Sequence, residues 1–499
     1  MKNVSRFIIF AVILFLVLYV FIFFPIPSVI VIAIGLVAIG IYDLTQKKHA
    51  ILRNFPVIGH LRYMLEGIGP EIRQYFIEND TQGKPFNRNQ RAYIYSRAKL
   101  QHTTHPFGTE HDLQREQIEW AKHSMFPAKI LNTPPRVKIG GKDCLQPYES
   151  SIFNISAMSY GSLSKNAILA LNKGAAEGGF YHNTGEGGVS PYHLQGGDLV
   201  YQVGTGYFGC RALDGSFDPE KFKVTSSIPE VKMIELKLSQ GAKPGKGGIL
   251  PAVKNNEEIA AIRGVIPHTE IDSPNAHRAF NTPRGLLEFI QQLRDLSGGK
   301  PVGFKLCVGS KDEFIDICEQ MIITGITPDF ISIDGAEGGT GAAPIIFSDH
   351  VGMPYENALI FVVDTLRKFK VEDEIKVIVA GKLIDGFSIF KALCLGADVV
   401  NTARGMMIAL GCIQALQCDK NTCPVGVATD NPVLVRGLVV EDKYKRVANY
   451  HRETVKDFLE LFAAAGCTDL NQLNRSYIYK QMNNQVVGFQ ERYPDVCAI

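Results

Sequence analysis

Residues 301–339 read PVGFKLCVGSKDEFIDICEQMIITGITPDFISIDGAEGG. An apolar run, Val302–Cys307, passes through Gly309 into a helix-length amphipathic stretch, Asp312–Thr324. A second apolar run, Phe330–Asp334, follows and ends in Gly335-Ala336-Glu337-Gly338-Gly339-Thr340-Gly341. Two short runs of apolar and β-branched residues joined by one helix are what a parallel strand pair with its crossover requires. The rhythm continues in both directions. Upstream lie strands at Ile152–Ala157 and Ile234–Leu238 and helices at Leu163–Glu177 and Arg284–Leu296. Downstream lie helices at Tyr355–Phe369 and Gly386–Leu395 and strands at Val377–Ala380 and Asp398–Thr402. Weaker strands at Phe180–Asn183 and Thr269–Asp272 bring the total to eight. The pattern predicts an α/β fold of the (β/α)8 TIM barrel type. An open doubly wound sheet is the rival, but no G-x-G-x-x-G turn follows the first strand.

In such a barrel the loops after the strands form the active face. The chain's 47 glycines gather there, in Gly185-Glu186-Gly187-Gly188, Gly245-Lys246-Gly247-Gly248 and the 335–341 loop. Glycine lets backbone amides approach a ligand closely, so these loops point to a cofactor gripped by main chain. A formal net charge of +2 over 499 residues shows no sign of nucleic-acid binding. The 10 cysteines are scattered through a large chain, unlike a secreted disulfide scaffold, and imply a reducing compartment.

Two apolar segments precede the barrel, 7–24 and 29–42, separated by Pro25-Ile26-Pro27. Lys2 and Arg6 lie before them and Lys47, Lys48 and Arg53 after, which favours an N-terminal transmembrane helical hairpin with both ends in the cytoplasm. A single long span and an interfacial anchor are the alternatives, and no small-residue cleavage site follows the first run. The expected organisation is a membrane anchor over 1–48, an irregular cap over 49–146, the barrel over 147–470 and a tail over 471–499. A C-terminal helix over Glu441–Ala464 should pack outside the barrel. The expected location is the cell membrane, with the catalytic part facing the cytoplasm.

Cys412, Cys418 and Cys423 form the one tight cysteine group, followed by Pro424-Val425-Gly426. Three neighbouring thiolates can converge on a soft centre, iron–sulfur or zinc. Zinc usually takes a fourth Cys or His, none of which is near, whereas three thiolates suit a three-iron cluster. Buried inert cysteines are the plain alternative.

The segment 412–429, CIQALQCDKNTCPVGVAT, resembles the 3Fe-4S segment of glutamate synthases. Further motifs of that family's FMN-binding domain follow in order: Ser156-Ala157-Met158-Ser159-Tyr160-Gly161-Ser162, Thr184-Gly185-Glu186-Gly187-Gly188, Ser239-Gln240-Gly241-Ala242-Lys243-Pro244-Gly245 and the 334–342 loop. The resemblance covers roughly 135–470. It implies FMN over the barrel mouth and a 3Fe-4S cluster on Cys412, Cys418 and Cys423. The isoalloxazine would lie against Ser156, Ala157, Met158 and Ser159, with Gln202 and Lys305 at its polar edge. Asp334, Gly335, Gly338, Gly339 and Thr340 would line the cofactor, and Gly381 with Ala403, Arg404 and Gly405 would take its phosphate. Gln240 and Lys243 would hold 2-oxoglutarate, and Glu186 would move protons as ammonia and the keto acid form an imine. The activity implied is reductive amination of 2-oxoglutarate to L-glutamate through 2-iminoglutarate, that of an oxidoreductase acting on CH–NH2 donors. Electrons would come from an external donor, a ferredoxin or a separate reductase, since no dinucleotide fingerprint is present.

The chain also departs from that family. No glutaminase domain is expected before the apolar segments, so ammonia would come free or from a separate glutaminase. Lys246 replaces a common glutamate, 273–278 replaces a stretch richer in proline and histidine, and Tyr207 stands where arginine is expected; all are expected near the substrate mouth. Two other functions therefore stay open: amine transfer to another keto acid or amine, and a membrane-tethered FMN/iron–sulfur electron-transfer module. A flavin-free barrel for phosphate esters would leave the three cysteines unexplained.

Overall fold

The computed structural model describes residues 11, 12, 14, 15, 19, 22, 27–101, 104 and 106–494. The chain divides into two compact units, 1–89 and 90–499.

In the second unit eight strands close into a barrel. They are β1 (Phe153–Ile155), β2 (His182–Asn183), β3 (Leu199–Val203), β4 (Val231–Lys237), β5 (Val302–Leu306), β6 (Phe330–Asp334), β7 (Lys376–Ala380) and β8 (Val399–Thr402). Each pairs in parallel with its neighbours in sequence, and β8 closes on β1 through Val400–Phe153 and Thr402–Ile155. Nearly every strand residue is buried, as a sheet covered on both faces demands. Helices Lys165–Gly178, Pro219–Ser226, Pro283–Leu296, Lys311–Thr324, Tyr355–Lys368 and Gly386–Cys394 form the outer layer. Most start on a capping side chain: Ser164, Asp218, Thr282, Ser310 and Asp385 each accept a first-turn backbone N–H.

Two details correct the sequence reading. Thr269–Asp272 is not a barrel strand; Ile271–Asp272 pairs antiparallel with Ile249–Leu250 in an excursion between β4 and its helix. The missing eighth strand is β3, whose crossover helix has only 8 residues and so leaves little helical period to announce it.

The N-terminal end of the barrel is closed by a hairpin, Arg136–Ile139 with Tyr148–Ser151, that runs directly into β1. Here Asp329 and Arg294, only 1% and 2% exposed at their side chains, form an ion pair at 3.1 Å. Arg294 also donates to the Thr327 carbonyl and the Gln291 amide oxygen. Asp329 accepts from the backbone N–H groups of Gly141 and Val302. The helix Val440–Ala464 packs outside β1, where His451 stacks on Phe180 at 4.0 Å and shares a hydrogen bond with Ser151.

In the first unit the segment 29–42 falls within one helix, Pro27–Thr45, which starts on the proline because proline lacks only an N–H that the first turn does not use. Its Asp43 is buried and accepts from the Val57 N–H at 2.9 Å and from His60 at 3.0 Å. The segment 7–24 lies largely outside the described residues. Among the described residues no helix is long and apolar enough to cross a membrane, so the expected transmembrane hairpin is not supported by the fold.

Candidate active site at the barrel mouth

The C-terminal ends of the strands carry an unusual density of buried charge. Glu186 sits in a short helical turn after β2, and its carboxylate pairs with Lys237 at the end of β4 at 2.8 Å. Gly204 and Gly248 wall it in: a Cβ at Gly248 would lie 2.3 Å from Oε1, and one at Gly204 would lie 2.7 Å from Oε2. Only glycine lets the two loops close over this carboxylate. Burial alone would raise the Glu186 pKa, but Lys237, Arg263 and Lys243 outweigh it and hold the carboxyl below its usual range.

The cations outnumber this carboxylate. Lys243 is 1% exposed, and its ammonium donates to the Ala342 carbonyl at 2.9 Å. Burial pulls its pKa down to about 8 against the opposing charge of Glu186. Arg263 ends a helix of the β4 excursion, Glu257–Arg263, and donates to the Tyr160 carbonyl. Burial lowers its pKa to about 10. The buried polar atoms without a partner among the described residues include two donors here, the Gln240 amide nitrogen and the Arg263 Nε. Buried donors are nearly always paired in a finished core, so these two suit an acceptor-rich ligand.

Inside the barrel, Lys305 on β5 pairs with Asp334 at the end of β6 at 3.3 Å. Burial opposes its charge, but Asp334 and Glu235 prevail and raise its pKa. Asp334 also accepts from the Gly241 N–H, tying the Gln240–Lys243 loop to the Gly335–Gly341 loop. The Gln202 amide nitrogen donates to Glu235 at 2.6 Å, beside Asn183 at 2.8 Å and Ser332 at 2.5 Å.

The Ser156–Ser159 loop follows β1. The Ser156 N–H donates to the Thr402 carbonyl on β8 and the Met158 N–H to Asn183 on β2, so the loop bridges both neighbouring strand ends. Ser156, Met158 and Ser159 are each 6% exposed, and Ala157 lies between them. Gly381 follows β7 directly, and Ala403, Arg404 and Gly405 follow β8. Arg404 donates to the Glu337 carbonyl, lies over Gly339, and has its pKa lowered by burial. Gly335, Gly338 and Thr340 share that loop. The structure thus gathers residues from the β1, β6, β7 and β8 loops at one end of the barrel.

Cys412, Cys418 and Cys423 lie in the loop after helix Arg404–Leu410, with none in a disulfide. Burial and then the neighbouring thiols Cys418 and Cys423 raise the Cys412 pKa to about 11, with the Gln414 N–H opposing. The three are therefore within electrostatic reach of one another and form a soft donor set. Among the described residues no group of three His, Cys, Asp or Glu side chains is arranged to hold a metal ion. Lys254, 2% exposed, donates to the carbonyls of Ser162 at 2.6 Å, Cys418 at 3.3 Å and Ala428 at 3.4 Å.

Lys237, Arg263, Glu235 and Lys254 escape a motif-based reading. Glu235 and Lys237 were signalled all the same, as ionisable residues inside the apolar run Val231–Lys237. Tyr207 and His277, by contrast, are buried and pair with each other. His277 Nε2 donates to the Lys237 carbonyl (2.8 Å) and its Nδ1 shares a hydrogen bond with Tyr207 Oη (3.1 Å); the Tyr207 ring sits against Phe217 and the His277 ring against Phe280. Burial brings the His277 pKa down to about 4, so the ring is neutral and acts as a brace behind Lys237. Lys246 is half-buried and pairs with Asp272 at 3.4 Å.

Residues 110–468 match the model of a conserved region in glutamate synthase. A glutamate synthase large subunit-like protein, YerD, of Bacillus subtilis (strain 168) is 39% identical over 92% of this chain and 97% of its own length. An archaeal glutamate synthase (NADPH) of Methanocaldococcus jannaschii is 36% identical over 69% of this chain and 64% of its own length. The large chain of a glutamate synthase (NADPH) of Bacillus subtilis (strain 168) is 31% identical over 64% of this chain but only 20% of its own length. The chain therefore spans nearly all of the first relative, under two thirds of the second and a fifth of the third.

Proposed function

The chain belongs to the glutamate synthase family, and on that premise we propose that this glutamate synthase-type oxidoreductase reductively aminates 2-oxoglutarate to L-glutamate through 2-iminoglutarate. Per turnover, ammonia, two electrons and two protons enter and one water leaves. The observation that carries the reading is the Glu186 site: one buried carboxylate among Lys237, Lys243 and Arg263, with the Gln240 amide nitrogen unpaired among the described residues. Surplus buried cations and an open amide donor suit a dicarboxylate.

Lys243 and the Gln240 amide would bind and orient the keto acid. Glu186, ionised and held by Lys237, would take protons from the attacking ammonia and return one to the departing hydroxyl. FMN, when bound, would supply the hydride, with Ser156–Ser159, Lys305, Asp334 and the Gly335–Gly339 loop around its ring and Gly381 and Ala403–Gly405 at its phosphate. The buried Lys305 and Arg404 and the glycine loops suit an anionic group approached by main chain. Cys412, Cys418 and Cys423 would hold a 3Fe-4S cluster that relays single electrons from a ferredoxin or a separate reductase. Ammonia would come free or from a separate glutaminase.

A membrane location with the barrel in the cytoplasm is part of the proposal. It is supported by the composition of segments 7–24 and 29–42 and by the exposed Val31, Ile32, Ile34 and Ile41 of helix Pro27–Thr45. Retention in the pellet after carbonate washing is the expected outcome, and release to the supernatant would remove the tether. A second substrate reading, another keto acid or amine, is favoured by Lys246, which lies on the excursion that frames the site.

The direct test starts from anaerobically purified, chemically reduced holoprotein. Reoxidation of the flavin absorbance should require both 2-oxoglutarate and ammonium and yield stoichiometric L-glutamate. Bound flavin that reoxidises only with other keto acids or amines would establish the second reading, and absence of flavin from the protein would refute both.

A further inference from the structure

The β4 excursion is stitched to the cysteine loop at three successive points. The Val253 carbonyl accepts from the Asn421 amide at 3.2 Å. Asn256 caps helix Glu257–Arg263 through its oxygen and donates through its nitrogen to Asp430 at 3.2 Å. Between them Lys254 donates to Ser162, Cys418 and Ala428. Three carbonyl acceptors need three N–H donors, which only the ammonium form of lysine provides. A positive charge is thus held between the first barrel loop and the loop bearing Cys418 and Cys423, in a place shielded from water. No carboxylate pairs with it among the described residues at salt-bridge distance; its partners are all backbone dipoles.

We propose that Lys254 is a positioning residue whose ammonium sets the reduction potential of the iron–sulfur centre held by Cys412, Cys418 and Cys423. The proposal rests on the iron–sulfur reading above. A thiolate-bound cluster gains one negative charge when it accepts an electron from its one-electron donor, so a nearby buried cation favours the reduced state and raises the potential. The ammonium also joins the Ser162 carbonyl of the flavin-side loop to the Cys418 carbonyl, which fixes the spacing of the two loops.

The test is an EPR-monitored redox titration of the holoprotein, with iron and acid-labile sulfide counted in each preparation. Lys254→Met should keep its iron and sulfide, and the ratio of reduced to oxidised cluster at a given poise should fall about tenfold, a downward shift of about 59 mV for a one-electron couple. Lys254→Arg, which keeps the charge, should stay close to wild type. A Met variant with full iron and an unmoved potential overturns the proposal. If the Met variant loses its cluster, retention by the Arg variant supports the charge, and equal loss in both overturns it in favour of plain packing. Wild-type protein without iron or sulfide sinks the iron–sulfur reading itself, a failure visible before any variant is made.

Discussion

The two ends of the barrel handle buried charge in opposite ways. At the N-terminal end Arg294 and Asp329 are matched one to one, and the hydrogen bonds of both are completed by Gln291, Thr327, Gly141 and Val302. At the C-terminal end Glu186 faces Lys237, Lys243 and Arg263, and the Gln240 amide nitrogen and Arg263 Nε have no partner among the described residues. A closed network holds the fold together, whereas an incomplete one awaits a ligand to complete it. The same residue types serve stability in one place and chemistry in the other, and the difference lies in whether the valences are filled.

The largest effect that can test this contrast is at the closed end. Asp329→Ala strands a buried guanidinium and should cost about 3–5 kcal/mol in urea unfolding, while the specific activity of the protein that remains folded stays near wild type. A small stability loss would mean that the floor network is not structural. At the open end, Glu186→Gln should lower single-turnover glutamate formation by about 10²-fold; turnover within a few-fold of wild type would remove Glu186 from the proton path. Gln240→Ala deletes a donor that has no partner among the described residues. It should weaken 2-oxoglutarate binding by roughly tenfold, about 1.4 kcal/mol, and leave the unfolding midpoint unmoved. A shifted midpoint would show that Gln240 is part of the fold rather than of the site.

The mildest effect is one of pH. Lys243 has a folded pKa pulled below its unfolded value, to about 8, so its ammonium is present below that pH and is lost as pH rises through it. Affinity for 2-oxoglutarate, measured by titration, should therefore be flat below about pH 8 and fall above it, by at most about tenfold per pH unit. Lys243→Arg should flatten the profile, because a guanidinium stays charged over this range. A wild-type profile already flat to high pH would take Lys243 out of substrate binding.

Much of this was legible because two signals coincide in a barrel: apolar runs with helical spacers, and glycines clustered at the strand ends that must approach a ligand. β3 was hidden because its crossover carries so short a helix, and Thr269–Asp272 misled because β-branched residues mark any strand, including one of an excursion. At the site, Glu186, Gln240 and Lys243 were legible from their glycine-framed loops. Gln202 lies on β3, the hidden strand, and its commitment to Glu235 depends on a cross-barrel contact that no local pattern encodes. The same holds for Tyr207 and His277, far apart in sequence and paired only by the fold.

Within the excursion between β4 and its helix, the short stretch 254–263 carries Lys254 towards the cysteine loop and Arg263 towards Glu186. It is too short to yield at one end without dragging the other. A single-residue insertion or deletion within 254–263 should therefore injure substrate handling and electron supply together, whereas changes of length at the outer turn 370–374 should injure neither. That makes this segment one of the least forgiving stretches of the chain for engineering, even though it forms no part of the barrel wall.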